Sequence, residues 1–176
     1  MSSEQKPQPQ PKPKPKPTKK EKSSWEGVEG FAKWLGQYCW IFVLIEGVLF
    51  IIWGIVGLAW LAAAEAAVQE VPGAAAAVAY DIALARLTYT LWIIGGILGI
   101  IFAVALVKPR FSNKWADKDY DYLLNDVVKI GSLRIPLFLI IGIVLEILMS
   151  WWGGLIIIIP LLLLIFMGPK EYKWKE

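Results

Sequence analysis

Residues 135–167 constrain the fold most: thirty-three positions that carry a single charge, Glu146. One bilayer crossing takes about 20 apolar residues, so this run is too long for one span and too apolar for a soluble core helix. Trp151-Trp152-Gly153-Gly154 divides it. That division predicts two helices folded back on each other over 133–150 and 153–167, with the Trp pair at the outer interface. Pro160 falls inside the second arm and predicts a kink there.

The remainder fits the same solvent. The chain has 176 residues, 57% of them hydrophobic and 10 of them Trp, which leaves room for four spans. There is no His, hence neither the commonest general base nor the commonest transition-metal ligand. Cys39 is the only cysteine, so neither an internal disulfide nor a Cys-cluster metal site is available. An enzyme is disfavoured for want of a nucleophile with a base in reach, and nothing calls for a cofactor.

Residues 1–22 alternate Pro with Lys and Gln, a pattern that forbids helix and sheet and favours an extended, disordered arm. Lys12, Lys14, Lys16, Lys19, Lys20 and Lys22 make it basic, suited to anionic lipid at the membrane surface. No aromatic residue is interleaved to stack on bases, so a nucleic-acid partner is not expected. Ser23 and Glu26 read as a capping box opening a short interfacial helix over 23–37. Its apolar side is Trp25, Val28, Phe31, Ala32, Leu35 and Tyr38.

The first hairpin covers 38–107. Its first span begins near Tyr38, and its helix continues to Glu70, where Pro72-Gly73 ends it. From Tyr38 that is about 50 Å of helix against about 30 Å of hydrocarbon. The Ala-rich ends at 62–67 and 74–77 therefore extend outside the bilayer as a close-packed hairpin. The second span, 87–107, carries Gly95, Gly99 and Ala103 at four-residue spacing, a row that lets helix backbones approach. Packing within the chain is the simpler reading, and a homo-oligomer the alternative.

Residues 108–132 form a polar connection. Tyr120, Leu123, Leu124, Val127 and Val128 predict a second amphipathic helix over 117–130. Asp117-Lys-Asp-Tyr-Asp superficially looks like the start of a calcium loop. Tyr122 and Val128 stand where such a loop needs Gly and Glu, so that reading fails. Residues 169–176 form a short tail with Tyr172 and Trp174.

Of the 18 Lys and Arg, eight precede the first span, six lie in the connection or, as Arg134, just after it, three lie in the tail, and only Arg86 is between the first two spans. The positive-inside rule puts both termini and the connection in the cytoplasm, most simply at the cell membrane. The expected fold is an all-α membrane protein: four transmembrane helices as two hairpins, two interfacial helices and a basic tail.

Glu46 and Glu146 are the charges well inside the apolar segments. Glu46 lies about 9–12 Å from the cytoplasmic edge, Glu146 about 18 Å. Gly142 shares a face with Glu146 and would admit a partner helix. Three readings follow: neutral acids hydrogen-bonding neighbouring helices, contacts to a membrane-protein partner, or proton or cation stations in a small transporter. The spans lack Asn and hold few Ser or Thr, which favours the first two. The function expected is a non-enzymatic organising or accessory subunit that packs helices and binds anionic inner-leaflet lipid.

Overall fold

The computed structural model describes residues 19–71, 73–149 and 152–175. The chain is mostly helical. Helix α1 (Lys19–Gln69) and α2 (Ala74–Phe102) pack along each other and are long and apolar enough to cross a membrane. Between them Gly73 adopts φ 80, the left-handed conformation that glycine takes without steric cost. The close packing of α1 on α2 comes from paired glycines: a Cβ on Gly96 would lie 2.5 Å from the Gly47 carbonyl oxygen, and one on Gly47 2.8 Å from that of Gly96.

Helix α1 is continuous over 51 residues, which corrects two expectations. It begins at Lys19, so Lys19, Lys20 and Lys22 belong to a helix rather than to the arm, and Ser23 is no cap. Lys12, Lys14 and Lys16 lie outside the described residues. Nor is 23–37 a separate interfacial helix. Trp25, Ala32 and Leu35 are buried, with Trp25 set edge-on against Tyr120 at 5.5 Å, while Phe31 and Tyr38 face outward. This face buries itself against protein, which removes the reason for a break before the span.

The second helix also runs past its expected end at Val107. It continues as a π-helical segment (Ala103–Ser112) and then α3 (Asn113–Ala116). Pro109 lacks an N–H, and its ring would crowd the carbonyl one turn back; the wider π winding carries the helix through. Trp115 is fully buried against Gly36 of α1, where a Cβ would collide with the indole.

No single amphipathic helix covers 117–130. Helix α4 (Tyr120–Asn125) is capped by Asp119, whose side chain accepts the Tyr122 N–H at 3.2 Å. Then β1 (Val127–Ile130) pairs antiparallel with β2 (Leu133–Pro136), Val128 opposite Ile135 and Lys129 opposite Arg134. Val127, Val128 and Ile130 make the first strand β-branched before Gly131-Ser132, and Gly131 takes φ 61 as a two-residue hairpin turn requires. The C-terminal segment closes on this hairpin: the Arg134 N–H donates to the Trp174 carbonyl at 2.8 Å, and Tyr172 donates to the Arg134 carbonyl at 2.9 Å.

These pieces form a polar cap at one end of the molecule. Acids and bases pair within it: Arg110 with Asp126 at 2.9 Å, Lys114 with Asp119 at 3.0 Å, Lys118 with Glu29 at 2.8 Å, and Lys170 with Asp121. The start of α1, the connection and the C-terminal segment thus meet at the same end.

Helices α5 (Leu137–Met149) and α6 (Gly153–Met167) run back along each other and against α1. They have 13 and 15 residues, about 20 and 22 Å. Pro160 is accommodated inside α6, which stays continuous.

Candidate functional site

Glu46 and Glu146, the two acids of the apolar segments, both lie near the free end of the α5–α6 hairpin. Glu46, on the inward face of α1, is 2% exposed. Its Oε1 accepts the backbone N–H of Trp152 at 3.2 Å. Trp152 is the N-cap residue of α6 and makes no capping hydrogen bond with its own side chain. The first N–H groups of a helix have no partner within it, and away from water each unmet donor is costly. Glu46 supplies an acceptor from a different helix, at the end of the α6 dipole that favours negative charge.

Glycine makes the approach possible. A Cβ on Gly153 would run into Glu46 Oε2, and one on Gly154 into the Gly142 carbonyl and, at 2.7 Å, the Glu146 backbone nitrogen. The Glu46 carboxyl and the backbone of Glu146 therefore lie against consecutive residues, Gly153 and Gly154, at the start of α6. Glu146 is half-buried, and its Oε2 is shielded from solvent. Neither that atom nor Glu46 Oε2 has a hydrogen-bond partner among the described residues.

The Gly95, Gly99 and Ala103 row faces this hairpin. A Cβ on Gly95 would lie 2.8 Å from the Leu148 carbonyl oxygen, and one on Gly99 2.8 Å from Met149 Sδ; Ala103 is fully buried. Gly142 packs on Gly154 and Ile158 of α6. These small residues serve packing within the chain. The partner of Glu46 was not visible in the sequence, although Trp-Gly-Gly at a helix start is the kind of unblocked N-terminus that needs an acceptor from elsewhere.

Compared with known proteins, the chain matches no family model, no curated protein and no solved structure. Its chemistry has to be read from the site. A carboxyl group there can accept backbone N–H bonds, or hold a proton on the oxygen left over. An open groove between α1 and α2 beside Glu65, Gln69, Arg86 and Thr90 is a separate feature. Glu65 lies 19 residues beyond Glu46, about 28 Å along α1, and is already paired with Arg86.

Proposed function

We propose that this is a small multi-pass integral membrane protein that acts as a non-enzymatic organising or accessory subunit, packing helices in the bilayer and holding to anionic lipid at the cytoplasmic face. The observation that carries this reading is the Glu46–Trp152 hydrogen bond. The most deeply buried acid is committed to joining one helix to another, and glycines surround it where a conducting path would need polar groups.

The cytoplasmic end is the polar cap. Support comes from the basic residues, 17 of 18 on that side, and from the meeting there of the start of α1, the connection and the C-terminal segment. Helices α1 and α2 cross, and α5 and α6 enter from the cytoplasmic side to complete the bundle. The residues beyond Trp60 on α1 and before Arg86 on α2 stand outside the bilayer. The lysines at the start of the chain attract anionic headgroups.

Purification in mild detergent, with mass measurement and identification of co-purifying chains, tests the assembly role. A stoichiometric membrane-protein partner or a defined homo-oligomer is the expected result; a lone monomer under every mild condition contradicts it. Changing Lys12, Lys14, Lys16, Lys19, Lys20 and Lys22 to Gln should weaken binding to anionic vesicles at low salt, and unchanged binding removes the lipid role.

The two acid oxygens without partners favour a second reading, a proton- or cation-coupled transporter using Glu46 and Glu146. Flux into proteoliposomes that is abolished by Glu46→Gln and Glu146→Gln would establish it; no flux in the unaltered protein disposes of it.

A further inference from the structure

We propose that the α5–α6 hairpin does not cross the membrane: it enters from the cytoplasmic face, turns back near mid-bilayer, and its outward face contacts only the acyl chains of the cytoplasmic leaflet. This rests on the reading of α1 and α2 as spans, which sets the scale.

On α1, Trp40 and Trp60 are 20 residues apart, about 30 Å, the thickness of the hydrocarbon core. On α2 and its π-helical continuation, Arg86 and Lys108 bound 21 uncharged residues, about 30 Å. Lys108 Nζ lies 4.4 Å from the centre of the Trp40 ring, so the two cytoplasmic markers agree in level. Trp60 is 73% exposed, as an interfacial anchor should be, and Arg86 is held by Glu65 at the far end.

The hairpin end can be placed on that scale through its contacts. The Trp152 amide meets Glu46, six residues and about 9 Å past Trp40. Met149 meets Gly99 and Leu148 meets Gly95, nine and thirteen residues from Lys108, about 13 and 20 Å. All three contacts fall well short of Trp60 and Arg86. Helix length agrees, since neither arm reaches 30 Å even upright, and β2, which might have lengthened α5, is held in the polar cap by Arg134.

What covers the hairpin follows from continuity. Ile143, Ile147, Leu155, Ile159 and Phe166 are exposed, and at the same levels α1 exposes Phe42 and Ile45 and α2 exposes Ile97 and Ile101. This is one apolar belt around the cytoplasmic half of the molecule, while two helices alone represent it in the outer half. Lipid chains are the occupant that such a belt fits. Glu46 is the latch that sets the depth, because it satisfies a helix N-terminus that would otherwise end unmet in hydrocarbon.

The test places spin labels on single cysteines in the full chain, with Cys39→Ala as background, reconstituted in liposomes. Labels go at Val48, Trp60 and Trp152, and depth is read from the balance of oxygen and aqueous-relaxant accessibility. The Trp152 label should match the Val48 label in depth and lie about 18 Å from the Trp60 label. A Trp152 label at the level of Trp60, or an unlabelled Trp152→Cys thiol that reacts with an impermeant maleimide from the outer side, overturns the proposal and leaves a four-span protein. Labels at Val48 and Trp60 that are both fully water-accessible would instead overturn the membrane reading beneath it. Should Trp152→Cys fail to fold, a label at Leu155 serves: it must lie no farther from the cytoplasmic surface than the Val48 label.

Discussion

At the scale of single residues, two neighbouring glycines make different demands. Beyond Gly154 lie backbone atoms of α5, which cannot move without separating the helices; beyond Gly153 lies the flexible end of the Glu46 side chain. Gly154→Ala should therefore destabilise the protein by about 1–3 kcal/mol, while Gly153→Ala costs less and chiefly displaces the Glu46 carboxyl. Unfolding titrations in detergent would check the order. Asp119 carries a pH dependence. The Lys114 ammonium, with the Tyr122 N–H, holds its carboxyl below the usual 3.8. A lowered folded-state value means that the ionised form supports the fold at neutral pH, and that this support is lost only as pH falls below the usual carboxylate range. Asp119→Asn should lose the acid-dependent part of cap stability, measured by near-ultraviolet circular dichroism of the buried Trp115 and Tyr120, and leave the neutral-pH fold in place.

At the scale of elements, what could be read from the sequence depended on whether burial or local geometry decided the outcome. The end of α1 was legible because Pro72-Gly73 can do little else than stop a helix, and α1 does end at Gln69. The helix over 117–130 was misread because Tyr120, Leu123 and Leu124 keep helical spacing, while Val127-Val128 before Gly131-Ser132 carries the hairpin signal. The π segment escaped because Pro109 ordinarily ends a helix, and only the burial of Phe111 and Trp115 against α1 and α5 shows why this one continues. Trp115→Ala would remove the large side chain that fills the space beside Gly36 and should cost about 3–5 kcal/mol. Loss of protection in α3 and α4 on hydrogen exchange, before any loss in the outer half of α1, is the expected sign.

At the scale of the whole molecule, a long hairpin and a short one share a single polar end. Charge distribution revealed that end from the sequence alone, since basic residues mark it wherever the helices lie. The seating of the short hairpin on α1 was not legible, because apolar length says nothing of partners and the contact between Glu46 and Trp152 joins residues 106 positions apart. In that contact Glu46 is a helix-joining acceptor. Reversible unfolding in detergent of Glu46→Ala, set beside Glu46→Gln, tests it most directly. Ala removes the acceptor and leaves the α6 amide unmet, so it should lose about 1–3 kcal/mol, and Gln, which keeps an oxygen acceptor, less than half of that. Glu46→Ala unfolding together with the unaltered protein would contradict the account.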